Sequence, residues 1–276
     1  MVVELAQAKH AFITGGASGI GLGVGKALAA KGLRITIADI NREAIDAVLA
    51  AEGEAFRGVV LDVRDRAGWA SAKADAEAAF GPVDLLFNNA GIASFGYEIA
   101  DMAPEAFDRI VAVDLTGVFN GVSAFAADMR ARRHGHILNT SSMAGICAPS
   151  QAIGGSYAAA KFGVVGLSET LRAELAPHGV GVSILCPGQT VTGIAQNSMK
   201  LGGDMRLPPG RSLSDAREAH ISPVETGTVE ELAERVLSGI EGNAPYVITH
   251  GRGWWPLAHA RHVAIEAAFD GMYGDA

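Results

Sequence analysis

The stretch His10-Ala11-Phe12-Ile13-Thr14-Gly15-Gly16-Ala17-Ser18-Gly19-Ile20-Gly21 decides the fold. A short apolar run leads into a glycine-rich turn and then into a helical pattern from Leu22 to Lys31. This is the strand–turn–helix context that a dinucleotide site needs. Gly15 allows the tight turn, Gly19 lets the backbone approach a pyrophosphate, and Gly21 permits close packing of the helix. Ser18 and Ile20 sit among these glycines, where the free N–H groups and positive dipole end of a helix N-terminus meet phosphate oxygens. The Lys-Ser/Thr pair that a P-loop places right after its last glycine is absent, which argues against a nucleoside triphosphate.

Outward from that turn, an apolar run at 33–38 ends in Asp39. A carboxylate at the end of the second strand can accept both hydroxyls of an adenosine ribose and repel a 2′-phosphate. Neither Ala17 nor Ser18 offers a cation to such a phosphate, and Arg42 lies beyond the strand end. The residues therefore point to NAD rather than NADP. Asp39 as the N-cap of the helix that begins near Asn41 is a second reading, and both can hold together.

Apolar β-branched runs and alanine-rich helical patterns alternate along the chain. Strands are expected near 10–14, 33–38, 55–60, 83–87, 135–140, 181–186 and 245–249. Helices are expected near 20–31, 41–52, 66–80, 104–130, 155–177, 228–241 and 256–269. The alternation predicts an α/β fold with a doubly wound parallel sheet of Rossmann-like type, in one domain over 1–276. Ligands of such sheets bind outside the C-terminal strand ends, where the strand order reverses.

Tyr157 and Lys161 lie four residues apart at the start of a small-residue helical run, so one helical face carries a phenol beside an ammonium. For a tyrosine to act as a base near neutral pH, its pKa must fall by roughly three units, worth ~4 kcal/mol. A unit charge at ~4 Å supplies about that at an effective dielectric near ~20. Taken alone the pair also fits a solvated helix face, and the rest of the chain decides between the two.

With both sites in view the chain resembles the short-chain dehydrogenase/reductase family from about residue 8 to residue 192. The resemblance rests on Thr14-Gly15 with Gly19 and Gly21, Asp62-Val63, Asn88-Asn89-Ala90-Gly91, Ser141-Ser142, Tyr157 with Lys161, and Pro187-Gly188 with Thr192. Each motif is weak singly; the ordered set is specific. It implies that Asp62 binds the adenine amino group with the backbone of Val63 beside it. It also implies that Asn88, Asn89, Ala90 and Gly91 close the floor under the adenosine ribose and brace the central strand. Ser142 then polarises the substrate oxygen, Tyr157 is the acid/base, and Lys161 lowers its pKa and holds the nicotinamide ribose. The backbone after Pro187-Gly188, with Thr190 and Thr192, orients the nicotinamide carboxamide. The implied activity is reversible hydride transfer between NAD(H) and an alcohol or ketone.

Two positions depart from the family pattern. Asp114 stands before Leu115-Thr116-Gly117 where an asparagine is expected. The family uses that residue's backbone carbonyl, which the change leaves intact. The side chain loses an amide donor and brings an acidic group towards Lys161, so Asp114 belongs among the catalytic candidates. Thr190 replaces an apolar residue.

Ala93, Met143, Ile153 and Ile194 are candidate pocket residues, and the apolar run between Ser142 and Tyr157 suits aryl or bulky aliphatic substrates. The region Ala244 to His250 and the helix after it also resemble bacterial family members that oxidise benzylic alcohols of lignin-derived aromatics. The Gly-, Pro- and Ser-rich segment 193–224 reads as a substrate lid, with an ordinary surface excursion as the alternative. Catalytic-site residues present in full favour an enzyme over an NAD(H)-binding redox sensor. Too little chain follows Thr192 for the large C-terminal domain of dehydratases and epimerases.

Composition narrows the partners. A net charge of −8 disfavours nucleic acid. No uninterrupted apolar run reaches the ~18 residues of a membrane span, and no secretion signal is evident, so no membrane partner is expected. Two cysteines are too few for a disulfide framework, which suggests a cytoplasmic protein. His134 with His136, and His259 with His262, lack the further ligands of a metal site. Helices near 104–130 and 155–177 carry small and apolar residues on more than one face, which predicts a homodimer or homotetramer.

Overall fold

Every side chain of strand β1 (His10–Thr14) is buried. A strand covered on both sheet faces requires that. The computed structural model describes residues 5, 7–93, 99–147, 154–188 and 227–273. The expected lid at 193–224 and the positions Ile153, Thr190, Thr192 and Ile194 lie outside them.

The other strands are β2 (Arg34–Asp39), β3 (Phe56–Val60), β4 (Leu85–Asn88), β5 (His136–Thr140), β6 (Gly181–Cys186) and β7 (Tyr246–Ile248). They form one sheet in the order β3-β2-β1-β4-β5-β6-β7. All pairs are parallel. The order reverses between β1 and β4, so the crevice predicted for the ligand opens beyond Thr14 and Asn88.

The helices are α1 (Gly19–Ala30), α2 (Arg42–Glu52), α3 (Arg66–Phe80), α4 (Pro104–Val111), α5 (Gly117–Arg132), α6 (Gly155–Leu175), α7 (Val229–Glu241) and α8 (Trp255–Tyr273). Successive β1 side chains point to opposite faces. Ile13 packs with Val24, Leu28, Ile45 and Val236 under α1, α2 and α7. Phe12 packs with Trp69, Phe125 and Met129 under α3 and α5. Its ring lies 5.1 Å from Phe125 and 5.9 Å from Trp69, between centroids.

Three sequence expectations change in detail. The cap of α2 is Asn41, whose side chain accepts from the Ala44 N–H, so Asp39 is not the N-cap. The helix expected over 104–130 is interrupted by a π-helical turn at Ala112–Thr116, which separates α4 from α5. The whole run Pro104–Arg132 is long and apolar enough, by length and composition, to cross a membrane. Counting only uninterrupted apolar residues hid this, yet Ile110, Val118, Val122, Phe125 and Met129 are buried in the protein's own core. Cys147 and Cys186 are both buried and free.

Candidate active site

The glycine turn takes the shape its sequence promised. Gly15 and Gly19 hold φ of +61° and +51°, the left-handed region that favours glycine. A Cβ on Gly21 would lie 2.4 Å from the Gly15 carbonyl oxygen, so this cradle admits no side chain. Thr14 ties β1 to the end of β4: its hydroxyl accepts from the Asn89 N–H at 2.9 Å and from the Ala90 N–H at 3.0 Å. Asn89 Nδ2 returns a bond to the Thr14 carbonyl at 3.0 Å. Asn88 braces the sheet interior, donating to Asn139 Oδ1 at 2.9 Å, and Asn139 in turn donates to Ser168 Oγ at 3.0 Å.

Asp39 closes the same crevice at the end of β2. Its carboxylate accepts from the Asn41 N–H at 3.0 Å and the Ala17 N–H at 3.3 Å, so it is aimed back at the glycine turn. Arg42, the nearest cation in sequence, faces Asp46 at 3.8 Å on an exposed helix surface. Asp62 carries an arrangement that sequence reading missed. Arg64 donates to both its oxygens, at 2.9, 3.0 and 2.6 Å. That bond, more than burial, holds the Asp62 carboxyl below its ordinary range. In the protein alone Asp62 therefore faces Arg64, and an incoming adenine would share it. The Val63 carbonyl is taken by Trp69 Nε1 and Asn120 Nδ2, both at 2.9 Å.

Ser142, Tyr157, Lys161 and Asp114 do converge. Ser142 caps a short 3-10 turn (Met143–Gly145) at the end of β5, its Oγ accepting from the Ala144 N–H at 3.1 Å. That turn is pressed onto α6, since a Cβ on Gly145 would lie 2.6 Å from the Lys161 carbonyl oxygen. Ser142 and Tyr157 are hydrogen-bonded through their side chains. The Lys161 ammonium lies 5.4 Å from the centroid of the Tyr157 ring. It donates to the Thr140 carbonyl at 3.1 Å and faces Asp114 Oδ2 at 3.2 Å. The latter is an ion-pair distance, although the angle is too poor for a hydrogen bond. Asp114 Oδ1 accepts from the Ile92 N–H at 2.8 Å. The π turn aims this carboxylate inward, a distortion often found at functional sites.

The electrostatics differ from those of a lone lysine beside a tyrosine. Burial pushes the Tyr157 phenol up; Lys161 pulls it down, Asp114 pushes it up again, and the balance lies above the ordinary value. The fall of about three units that base catalysis needs is thus absent from the protein alone. Burial acts to lower the Lys161 pKa, but Asp114 and then Tyr157 outweigh it and hold the lysine as a cation. Burial pushes the Asp114 carboxyl up, while Lys161 and the Ile92 N–H pull it back. Lys161 and Asp114 are thus a buried ion pair of nearly zero net charge.

The remaining predicted positions fall around this group. Ala93 and Met143 are buried. Pro187 and Gly188 follow β6, with the Pro187 carbonyl accepting from the Met143 N–H at 3.0 Å. Among the described residues no cluster of His, Cys, Asp or Glu could hold a metal ion.

A glycine cradle at the switch point and a Ser–Tyr–Lys group beside it, half-buried at Ser142 and Tyr157 and buried at Lys161, define the class of nicotinamide-dependent oxidoreductases. The family model of the short chain dehydrogenases matches residues 9–201. The chain is 38% identical over 253 residues to the C alpha-dehydrogenase of Sphingobium sp., covering 88% of this chain and 81% of that one. It is 34% identical over 252 residues to 3beta-hydroxysteroid dehydrogenase 2 of Eggerthella lenta, covering 88% of this chain and 94% of that one. A short chain dehydrogenase/reductase from Burkholderia phymatum, solved in complex with NAD, superposes with a TM-score of 0.83 at 32% identity, over 95% of each chain. The protein belongs to the short-chain dehydrogenase/reductase family. As a member it is an NAD(P)-dependent oxidoreductase of alcohols or ketones.

Asp114→Asn should remove the negative charge that opposes proton loss from the Tyr157–Lys161 unit. The unit then loses its first proton at lower pH, whichever group releases it. The acidic limb of the pH–rate profile for alcohol oxidation should move down accordingly. A limb that stays in place or rises would show that the Asp114 charge is not felt.

Proposed function

We propose that the protein moves hydride between NAD(H) and an apolar or aryl secondary alcohol or its ketone, using Tyr157 as the proton-transfer group. The observation that carries this reading is the phenol of Tyr157, half-buried, influenced by the Ser142 hydroxyl and with the Lys161 ammonium 5.4 Å from its ring centroid. The nicotinamide supplies hydride acceptance and donation when bound. Lys161 fits that partner: of the three N–H groups of its ammonium, one is donated to the Thr140 carbonyl and a second faces Asp114 at ion-pair distance. The third suits a ribose hydroxyl. The glycine cradle with Ser18 and Ile20 at the start of α1 suits the pyrophosphate. Gly91, Ala90 and Asn89 would lie under the ribose, and Asp62 with Val63 would hold the adenine.

In oxidation, Ser142 hydrogen-bonds the substrate oxygen, and Tyr157 as phenolate takes the hydroxyl proton. In reduction, Tyr157 returns it. The burial that raises Tyr157 in the protein alone keeps it protonated, the state from which reduction starts. The positive charge of the oxidised nicotinamide is what the oxidative direction adds to Lys161 to favour phenolate.

The substrate class rests on the apolar side chains around Ser142. Met143, which follows Ser142, is buried, as are Ile92 and Ala93 beyond the end of β4. The relatives' names agree, since a hydroxysteroid is a bulky apolar secondary alcohol. Oligomer formation through α5 and α6 across a two-fold axis belongs to the same reading, and Phe119 on α5 is 45% exposed. Light scattering should give a dimer or tetramer at micromolar concentration; a monomer would count against it.

Asp39→Ala should raise the KM for NAD and narrow the preference over NADP, because the repulsion of a 2′-phosphate disappears. An unmodified enzyme that already prefers NADP would overturn this reading of Asp39. Tyr157→Phe keeps the packing and removes the proton-transfer group, so turnover should fall at least ~10²–10⁴-fold with NAD affinity little changed. Lys161→Met should lower turnover and cofactor affinity together. Near-normal turnover by Tyr157→Phe would sink the mechanism.

A further inference from the structure

After β7 the chain passes through Thr249 and His250, both buried although polar. The Gly188 N–H donates to His250 Nδ1 at 2.8 Å. A backbone N–H can only donate, so Nδ1 must offer its lone pair, and the ring is the neutral tautomer with its proton on Nε2. The Thr249 hydroxyl, 2.7 Å from the same nitrogen, can then only donate to it as well. The fit is close: a Cβ on Gly188 would lie 2.7 Å from the ring's Cγ and 2.9 Å from Nδ1.

The other end of that peptide unit is also fixed. The carbonyl of the Pro187–Gly188 peptide accepts from the Met143 N–H at 3.0 Å. Met143 directly follows Ser142. One peptide plane is therefore held on its oxygen side by the turn that carries Ser142 and on its nitrogen side by His250. A plane pinned at both poles cannot rotate without breaking a buried hydrogen bond.

We propose that His250 is a positioning residue: by accepting the Gly188 N–H it fixes the Pro187–Gly188 peptide and, through it, the orientation of the nicotinamide end of the cofactor. This rests on the reading that the backbone after Pro187-Gly188 meets the nicotinamide carboxamide. Its effect is confined to that end, because the glycine turn, Asp39 and Asp62 hold the adenosine end without it.

The test compares NADH with ADP-ribose, which lacks the nicotinamide, in calorimetric titrations of the parent, His250→Phe and His250→Gln. His250→Phe should weaken NADH roughly 5–30-fold, the equivalent of ~1–2 kcal/mol for a buried donor left without its acceptor. ADP-ribose should change by less than about twofold. His250→Gln, whose amide oxygen can accept, should recover most of the NADH affinity. In the kinetics kcat should fall along with the rise in KM for NAD, since the ring is held less well in its reacting orientation. Unchanged NADH affinity in a folded His250→Phe protein overturns the inference, as does an equal loss of both ligands. Should His250→Phe not fold, imidazole ¹⁵N NMR of the parent decides: a proton on Nδ1 overturns the inference. A parent that binds neither ligand overturns the dinucleotide reading itself, a result distinct from all of these.

Discussion

A buried ammonium is the constraint on which the rest of this site depends. The Lys161 side chain is 3% exposed and the Asp114 side chain 0%. Burying an unpaired charge costs several kcal/mol, and even a paired one recovers that cost only with good geometry and further hydrogen bonds. Here the Thr140 carbonyl and Asp114 face the ammonium, and the Ile92 N–H satisfies the carboxylate's other oxygen. Small residues make the approach possible. A Cβ on Gly91 would lie 3.4 Å from Asp114 Oδ2 and 3.5 Å from Lys161 Nζ, and one on Gly163 would lie 2.8 Å from a Leu115 methyl. Ser141 anchors the backbone of the same turn of α6, its hydroxyl donating to the Lys161 carbonyl at 2.8 Å.

The pair alters how charge is shared with Tyr157. An amide at position 114 would leave Lys161 as an uncompensated cation beside the phenol, whereas a carboxylate nearly cancels it. In the proposed reaction this favours the protonated phenol of the reductive direction. Oxidation must draw more of its driving force for phenolate formation from the positive nicotinamide ring. A carboxylate at position 114, where the family's pattern has an amide, would in that reaction weaken the pull of Lys161 on the phenol proton.

The parts legible in the sequence are those whose physics is local. The glycine turn needs left-handed backbone and room for close approach, and both are properties of Gly15, Gly19 and Gly21 themselves. The short apolar run of β1 and the four-residue spacing of Tyr157 and Lys161 are equally local. The π turn was hidden because the chain stays helical through it, with ordinary helical dihedrals at Val111 and Gly117 on either side. An added residue there shifts the apolar face without breaking the helical pattern. Arg64 read as one more exposed charge, and only the fold of the β3–α3 loop turns it onto Asp62. His250 depends on the parallel pairing of β6 with β7, which brings it to Gly188 across 62 residues of sequence. No motif or spacing signals a contact of that kind.

The contact between the 3-10 turn and the Pro187 carbonyl has a consequence for the proposed chemistry. Hydride transfer requires the substrate carbon and the nicotinamide carbon to meet within narrow limits, and a misplacement of ~1 Å can cost ~10²-fold in rate. In the proposed reaction Ser142 would set the position of the substrate oxygen, and the Pro187–Gly188 peptide would help to set that of the ring. Because the Met143 N–H binds the Pro187 carbonyl at 3.0 Å, these two supports belong to one rigid unit at the ends of β5 and β6. The Ser141 N–H, bonded to the Leu185 carbonyl at 2.8 Å, extends the β5–β6 ladder up to that unit. In that reading the supports proposed for substrate and for ring stand on the same pair of strands, β5 and β6.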